Sequence, residues 1–185
     1  MKTRMIIVAA PSGAGKSSFV ERIIKEEPRL VDIITFTTRN IRKGETAGVQ
    51  YNFISQDDFQ KKIQENFFVE WAKVHTNFYG TSYESLEKTW AAGKCAIMDI
   101  DIQGVATFKS KYPDAKTVFI LPPSIDELRR RIEKRDGGMP HDIEVRMANA
   151  EKEIAEAKNF DFRIVNDNFE HSYAEFKKII EELLA

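Results

Sequence analysis

The residues best suited to chemistry come early in the chain. Pro11-Ser12-Gly13-Ala14-Gly15-Lys16-Ser17 reproduces the last seven positions of the phosphate-binding P-loop pattern, and Ser18 follows. Backbone N–H groups of such a loop, and of the helix it opens, point at phosphate oxygens. Lys16 brings a positive charge to oxygens that gain negative charge as a terminal phosphoryl group leaves. The Ser17 hydroxyl is the expected ligand of a Mg²⁺ ion carried with ATP. One position departs from the pattern, because Ala10 stands where its first glycine belongs. A positive φ there would make the methyl group cost about 1 kcal/mol or more, whereas a negative φ makes it harmless. Harmless is the reading adopted, since every phosphate-contacting position from Gly13 to Ser18 is kept. The loop predicts a grip on a nucleoside triphosphate. Motors, GTPases, transporters and kinases all share it, so the acceptor has to be read from other residues.

A second set lies downstream. Thr37-Thr38-Arg39-Asn40-Ile41-Arg42-Lys43-Gly44-Glu45 holds two arginines three residues apart in a segment too polar for a core. Guanidinium groups bind phosphate oxygens bidentately and keep their charge, which suits an acceptor phosphate. Tyr51 and Tyr79 could add hydroxyl donors to that phosphate. Taken alone, the segment also reads as a solvated basic turn. Asp99 ends an apolar run and Asp101 follows two residues on; a turn or cap is the alternative there. Arg135 and Arg146 flank a polar, glycine-containing turn, while Arg129, Arg130 and Arg131 read as a solvated helix face. His75 and His141 read as surface histidines.

Several elements must position these groups. Met5-Ile6-Ile7-Val8-Ala9 is a short continuous apolar run, as in a strand buried on both faces of a parallel sheet. Phe19, Val20, Ile23 and Ile24 then recur at helical spacing. Cys95 to Ile100 and Thr117 to Leu121 predict two more buried strands, and Ile164-Val165 a shorter one. Ser124 predicts a cap on a helix from Ile125 to Arg135, with Asp126 and Glu127 in its first turn. Asp142 to Lys158 predicts a helix with Ile143, Met147, Ala150, Ile154 and Ala157 on one face. Phe169, Tyr173, Phe176, Ile179, Ile180 and Leu183 mark a C-terminal helix. Strands alternating with helices predict a layered α/β fold with a mostly parallel sheet. From Ile33 to Trp90 that rhythm breaks, with β-like runs such as Val69 to Val74 and a helix starting at Thr81 or Ser82 and stopping at Gly93. This region is read as an inserted, partly β subdomain.

In this setting the chain resembles the guanylate kinase family over nearly its full length. The resemblance is carried by the phosphate loop, Thr37-Thr38-Arg39 with Arg42, Gly44 and Glu45, and Tyr51-Asn52-Phe53. It continues through Phe68-Val69-Glu70-Trp71-Ala72, Tyr79-Gly80-Thr81, Asp99-Ile100-Asp101 with Gln103-Gly104, Pro122-Pro123-Ser124 and Val165-Asn166-Asp167. It implies a P-loop nucleoside-monophosphate kinase fold: a parallel-sheet core over about residues 1–32, 92–125 and 159–185, a GMP-binding subdomain over 33–91 and a helical lid over 126–158. It implies that Arg39, Arg42, Tyr51 and Tyr79 hold the GMP phosphate and that Thr35, Glu70, Thr81 and Asp101 read guanine. Ala10, Pro11, Ser12, Gly13, Ala14, Gly15, Lys16, Ser17 and Ser18 would bind ATP together with Arg131, Arg135 and Asn166. Lys16, Arg39, Asp99, Arg135 and Arg146 would form the catalytic set, with Mg²⁺ on Ser17 and, through water, Asp99. The implied reaction is phosphoryl transfer from ATP to GMP, with dGMP as a second acceptor.

Bulk properties bound the alternatives. A chain of 185 residues with 42% apolar residues fits one domain with a real core. The net charge of −1 gives no global field for a nucleic-acid polymer or an anionic membrane. The single cysteine, Cys95, lies in an apolar run and predicts a buried thiol in a reducing compartment. No apolar run approaches the length of a membrane span, and the N-terminal run is too short for a signal peptide. The chain therefore reads as soluble and cytoplasmic, and the sequence does not choose between a monomer and a homo-oligomer. The rival to an enzyme is a non-catalytic guanylate-kinase-like binding module. Such modules typically lack the loop lysine and carry proline at the position of Thr35, and this chain has Lys16 and a hydroxyl.

Overall fold

A computed structural model describes residues 4–42, 44–74 and 76–185. Lys43 and His75 lie outside the described residues, as does the side chain of Gln103. The elements in chain order are β1 (Met5–Ala9), α1 (Lys16–Glu26), β2 (Leu30–Asp32), β3 (Phe36–Thr37), β4 (Asn52–Phe53), α2 (Gln56–Gln64), β5 (Phe68–Val74) and β6 (Asn77–Ser82). They continue with α3 (Tyr83–Ala91), β7 (Cys95–Asp99), α4 (Ile102–Lys111), β8 (Lys116–Leu121), α5 (Ile125–Asp136), α6 (Ile143–Glu156), β9 (Phe162–Val165) and α7 (Phe169–Leu184).

Five strands form one sheet in the order β2-β7-β1-β8-β9, with every pairing parallel. β1 reads as an unbroken apolar run because both of its faces are covered. Met5, Ile7 and Ala9 join a cluster with Leu86 of α3 and Val105 and Phe108 of α4. Ile6 and Val8 join the opposite cluster with Phe19, Val20 and Ile23 of α1 and Tyr173, Phe176 and Ile180 of α7. β1 sits between β7 and β8, so the chain leaves it toward both sides of the sheet, and the C-terminal end of β1 is the switch point where α/β sheets open a ligand crevice.

A second sheet, ordered β4-β3-β6-β5, is built by the segment that breaks the strand–helix rhythm. Its core is aromatic. Phe59 of α2 stacks on Phe68 and Phe78 with centroids 4.5 and 5.4 Å apart, and a Cβ on Gly80 would come within 2.9 Å of the Phe68 ring. The helix α2 is not part of the sequence expectation; Ser55 caps it by accepting from the Asp58 N–H, and Phe59 is its one buried side chain.

The other boundaries fall close to expectation. Ser82, not Thr81, caps α3, and Gly93 stops it in a left-handed conformation at φ 69°. Ser124 accepts from the Glu127 N–H to cap α5. The helix expected through Lys158 ends at Glu156 and tightens into a 3-10 turn over Ala157–Asn159. Cys95 is buried, and burial pushes its thiol up to about 12. No described helix is long and apolar enough to cross a membrane.

Phe19 joins the loop-bearing helix to the core. It is fully buried, with edge-on contacts to Phe169 and Phe176 at 5.1 and 5.4 Å. Replacing Phe19 with alanine is expected to lower stability by about 3–5 kcal/mol, read as an earlier urea midpoint at unchanged slope.

Candidate active site

The phosphate loop runs from the buried end of β1 to the first turn of α1. Gly13 and Gly15 adopt φ 92° and 97°. The packing also demands glycine: a Cβ on Gly13 would stand 2.7 Å from Ile132 Cγ1, and one on Gly15 would stand 2.7 Å from Asn166 Nδ2. Among the described non-glycine residues only Asn66 has a positive φ, so Ala10 carries no left-handed strain. Asn166 donates from Nδ2 to the Ala14 carbonyl at 2.8 Å, bracing the loop from the end of β9. Its Oδ1 is buried with no hydrogen-bond partner among the described residues.

Lys16 Nζ lies 3.6 Å from Asp99 Oδ2 and 3.5 Å from the Ile100 carbonyl. The Ser17 hydroxyl donates to Asp99 Oδ2 at 3.3 Å. Adjacent parallel strands bring these groups together, since Val8 of β1 stands beside Asp99 of β7. A hydroxyl beside a carboxylate suits a hard cation that keeps most of its coordination for water and phosphate, as Mg²⁺ does. Among the described residues no group of three or more His, Cys, Asp or Glu could hold a metal by protein ligands alone.

Ser17 and Asp99 line a cavity of about 620 Å³ together with Arg39, Arg42, Tyr51 and Tyr79. Arg39 is tied down: its NH1 and NH2 donate to the two Glu45 oxygens at 3.0 and 2.7 Å, and Glu45 also accepts the Arg42 N–H at 2.7 Å. Arg39 lies 5.2 Å from the Tyr51 ring centroid and 5.5 Å from that of Phe53. Tyr51 and Tyr79 stand edge to face at 6.0 Å. Burial, and then the Asp99 charge, push the Tyr51 phenol up to about 12, so it remains a donor at neutral pH.

The base-reading candidates form a separate polar cluster. Glu70 is 7% exposed and accepts from the Thr81 hydroxyl at 3.1 Å. The pairing of β5 and β6 sets Glu70 opposite Thr81 after a register shift. β3 pairs with β6 so that Phe36 faces Gly80 and Thr37 faces Tyr79, and Thr35 is buried just before β3. Asp101 caps α4 by accepting the Gly104 N–H at 2.7 Å. Glu70 Oε2 and Asp101 Oδ1 each lie 3.4 Å from the point where a Cβ on Gly104 would stand, so both acids border one space. Burial first, and Asp101 in addition, push the Glu70 carboxyl up to about 7.

The expected lid residues come from α5 and α6. Arg131 donates to the Asn166 carbonyl at 3.0 Å and to Glu127, so it is no free surface cation. Arg129 bridges to Glu144 of α6, and Arg130 pairs with Glu127 at the surface. Arg135 NH1 reaches Ser12 Oγ of the phosphate loop at 3.5 Å. Arg146 pairs with Asp136 and Asp142 at 2.8 and 2.9 Å. His141 is exposed.

This order of elements and residues is that of a known family. The guanylate kinase family model matches residues 2–183. The chain belongs to the guanylate kinase family. A curated guanylate kinase from Bdellovibrio bacteriovorus is 80% identical over 185 residues, covering 100% of both chains. One from Myxococcus xanthus is 41% identical over 177 residues, covering 95% of this chain and 85% of its own. Among solved structures, guanylate kinase from Anaplasma phagocytophilum superimposes with a TM-score of 0.79 at 28% identity, over 97% of this chain and 85% of that one.

Three acids beside these residues have surroundings that the sequence does not show. Asp32 ends β2 and lines the cavity; burial first, then Asp99 and Glu21, push it up to about 7. Glu45 was legible only as a motif position, not as the partner of Arg39. Glu153 of α6 is raised by burial, with the Lys16 charge opposing that shift. A three-residue strand and a polar helix face give no period from which such burial could be read.

Gly15 supplies the sharpest test of the loop geometry. Gly15→Ala combines a left-handed φ with a collision against Asn166, and is expected to weaken ATP binding by at least about 10-fold. Titration calorimetry with ATP would measure it, with Ala10→Gly as a control expected to bind as the parent does.

Proposed function

We infer that the chain catalyses ATP-dependent phosphorylation of GMP, giving ADP and GDP, with dGMP as a second acceptor. The observation that carries this is the buried Glu70–Thr81 pair bordered by Asp101, in the same small-sheet region as Arg39, Tyr51 and Tyr79 facing the phosphate loop. Guanine presents N1–H and the N2 amino group as donors beside the O6 acceptor. An ionised Glu70 can accept from both donors, and the hydroxyl of Thr81 or Thr35 can donate to O6. Adenine reverses that edge, putting an acceptor N1 against carboxylate lone pairs. A site built to hydrogen-bond one base rejects the other by about 10⁴-fold.

On the acceptor side, Arg39, Arg42, Tyr51 and Tyr79 hold the GMP phosphate. On the donor side, the loop from Ala10 to Ser18 cradles the triphosphate, Arg131 and Asn166 stand beside the adenosine end, and Arg135 and Arg146 close on the phosphates. A GMP phosphate oxygen, already ionised near neutral pH, attacks the γ-phosphorus in line, and the bond to the β-phosphate oxygen breaks. No strong general base is needed, and catalysis is positioning and charge stabilisation by Lys16, Arg39, Arg135 and Arg146. Ser17 and, through water, Asp99 are the residues that would hold Mg²⁺, which would supply positive charge to the phosphate oxygens. Residues 33–91 form the GMP-binding subdomain and 126–158 the lid on a core of 1–32, 92–125 and 159–185; their closure excludes the water that would otherwise hydrolyse ATP. The protein works in the cytoplasm, a reading supported by its unpaired buried cysteine. The loop's Lys16, held beside Asp99 of β7, disfavours the alternative of a binding module without catalysis.

Protonation supplies the test. Below about pH 7 Glu70 takes up a proton, which faces the guanine donors and removes an acceptor. KM for GMP should therefore rise as pH falls through about 7. Asp32 titrates in the same window, so the comparison that isolates the base contact is Glu70→Gln. That variant should raise KM for GMP about 10- to 100-fold, lose this pH limb and bind ATP normally. An unchanged KM with the limb retained would remove Glu70 from base recognition.

A further inference from the structure

Both lid arginines converge on one carboxylate. Arg135 Nε donates to Asp136 Oδ1 at 2.7 Å, and its NH2 lies 3.4 Å from Oδ2. Arg146 NH1, from the other helix, donates to Asp136 Oδ2 at 2.8 Å while its Nε donates to Asp142 at 2.9 Å. Asp136 is the last residue of α5, and its place is set by the turn behind it: Gly137 caps the helix at φ 75° with its N–H on the Glu133 carbonyl, and Gly138 donates to the same carbonyl at 3.0 Å. The carboxylate is thus fixed to the backbone at the point where the chain leaves α5, with α6 beginning seven residues later at Ile143.

We propose that Asp136 is a positioning residue that aligns Arg135 and Arg146 side by side for the triphosphate. This rests on the assignment of both arginines to phosphate binding. Two guanidinium groups that must reach one triphosphate repel each other when brought together without it, and each long side chain has many rotamers to lose. A carboxylate between them offsets the repulsion and selects one rotamer of each. It also selects which N–H groups stay free. Arg135 commits Nε and NH2 to Asp136, leaving NH1 on the side of Ser12 in the phosphate loop. Arg146 commits Nε and NH1, leaving NH2. The pairs are partly exposed, with Arg135 at 49% and Asp136 at 27% side-chain exposure, so they add little to stability, and orientation is what the contact supplies.

Steady-state kinetics on Asp136→Asn, Asp136→Glu, Arg135→Ala and Arg146→Ala, with thermal melts of each, test this. The arginine variants should lose about 10³-fold in kcat. Asp136→Asn keeps the shape but turns an N–H group toward the guanidiniums. It should lower kcat about 10-fold, with KM for GMP and the melting midpoint unchanged, and Asp136→Glu should recover most of the loss. Asp136→Asn placed on Arg135→Ala/Arg146→Ala should add nothing further, because it acts through those side chains. If the arginine variants lose activity while Asp136→Asn keeps or exceeds the parental kcat, the positioning role is wrong and the lid assignment stands. If the arginine variants turn over normally, both fall. If Asp136→Asn loses activity only in proportion to a lowered melting midpoint, the residue is structural and the proposal fails.

Discussion

Two phosphate groups, each already negative, must come within bonding distance, and that repulsion is the constraint to which the rest of the structure answers. Two unit charges at 4 Å interact by about 4 kcal/mol at a protein-like dielectric, so several cations have to converge on one spot. Those cations must also be tolerable without their substrates. The proposed cations are paired with acids: Lys16 with Asp99, Arg39 with Glu45, and Arg135 and Arg146 together with Asp136. The acids orient the cations, and the Lys16, Arg135 and Arg146 pairs are partly exposed.

The fold follows from where such a charge cluster can be built. A backbone cradle needs a strand that cannot shift, and β1 is that strand, buried on both faces and hydrogen-bonded on both edges. The loop it feeds is held by two left-handed glycines and by the side chain of Asn166. The small sheet proposed to carry the acceptor packs on aromatic rings, and the helix pair bearing Arg135 and Arg146 packs under the loop through Ala14, Leu128, Ile132 and Met147. This arrangement suits the proposed closure of two units over the cradle. Membership of the guanylate kinase family is consistent with this architecture.

What could be read from sequence divides along physical lines. β1, β7 and β8 announce themselves because two-sided burial demands continuous apolar runs, and α5 announces itself through Ser124 and its acidic first turn. β3 and β4 are two residues each, too short to show a period, and α2 buries only Phe59. At the candidate site, residue types suited to phosphate or guanine are visible one by one. Their counter-ions are not: nothing in the spacing says that Glu45 rather than another nearby acid holds Arg39, or that Asp136 serves arginines on two helices. The raised carboxyls of Glu70 and Asp32 depend on burial beside other acids, which is a property of the packed molecule.

The central claim is that phosphoryl transfer is directed to a guanine nucleotide. A coupled assay of ADP release with GMP, dGMP, AMP and UMP as acceptors tests it most directly. Rapid turnover is expected with GMP and dGMP, with kcat/KM for AMP and UMP lower by about 10⁴-fold. AMP or UMP serving as well as GMP, or ADP released at the full rate with no acceptor present, would contradict it.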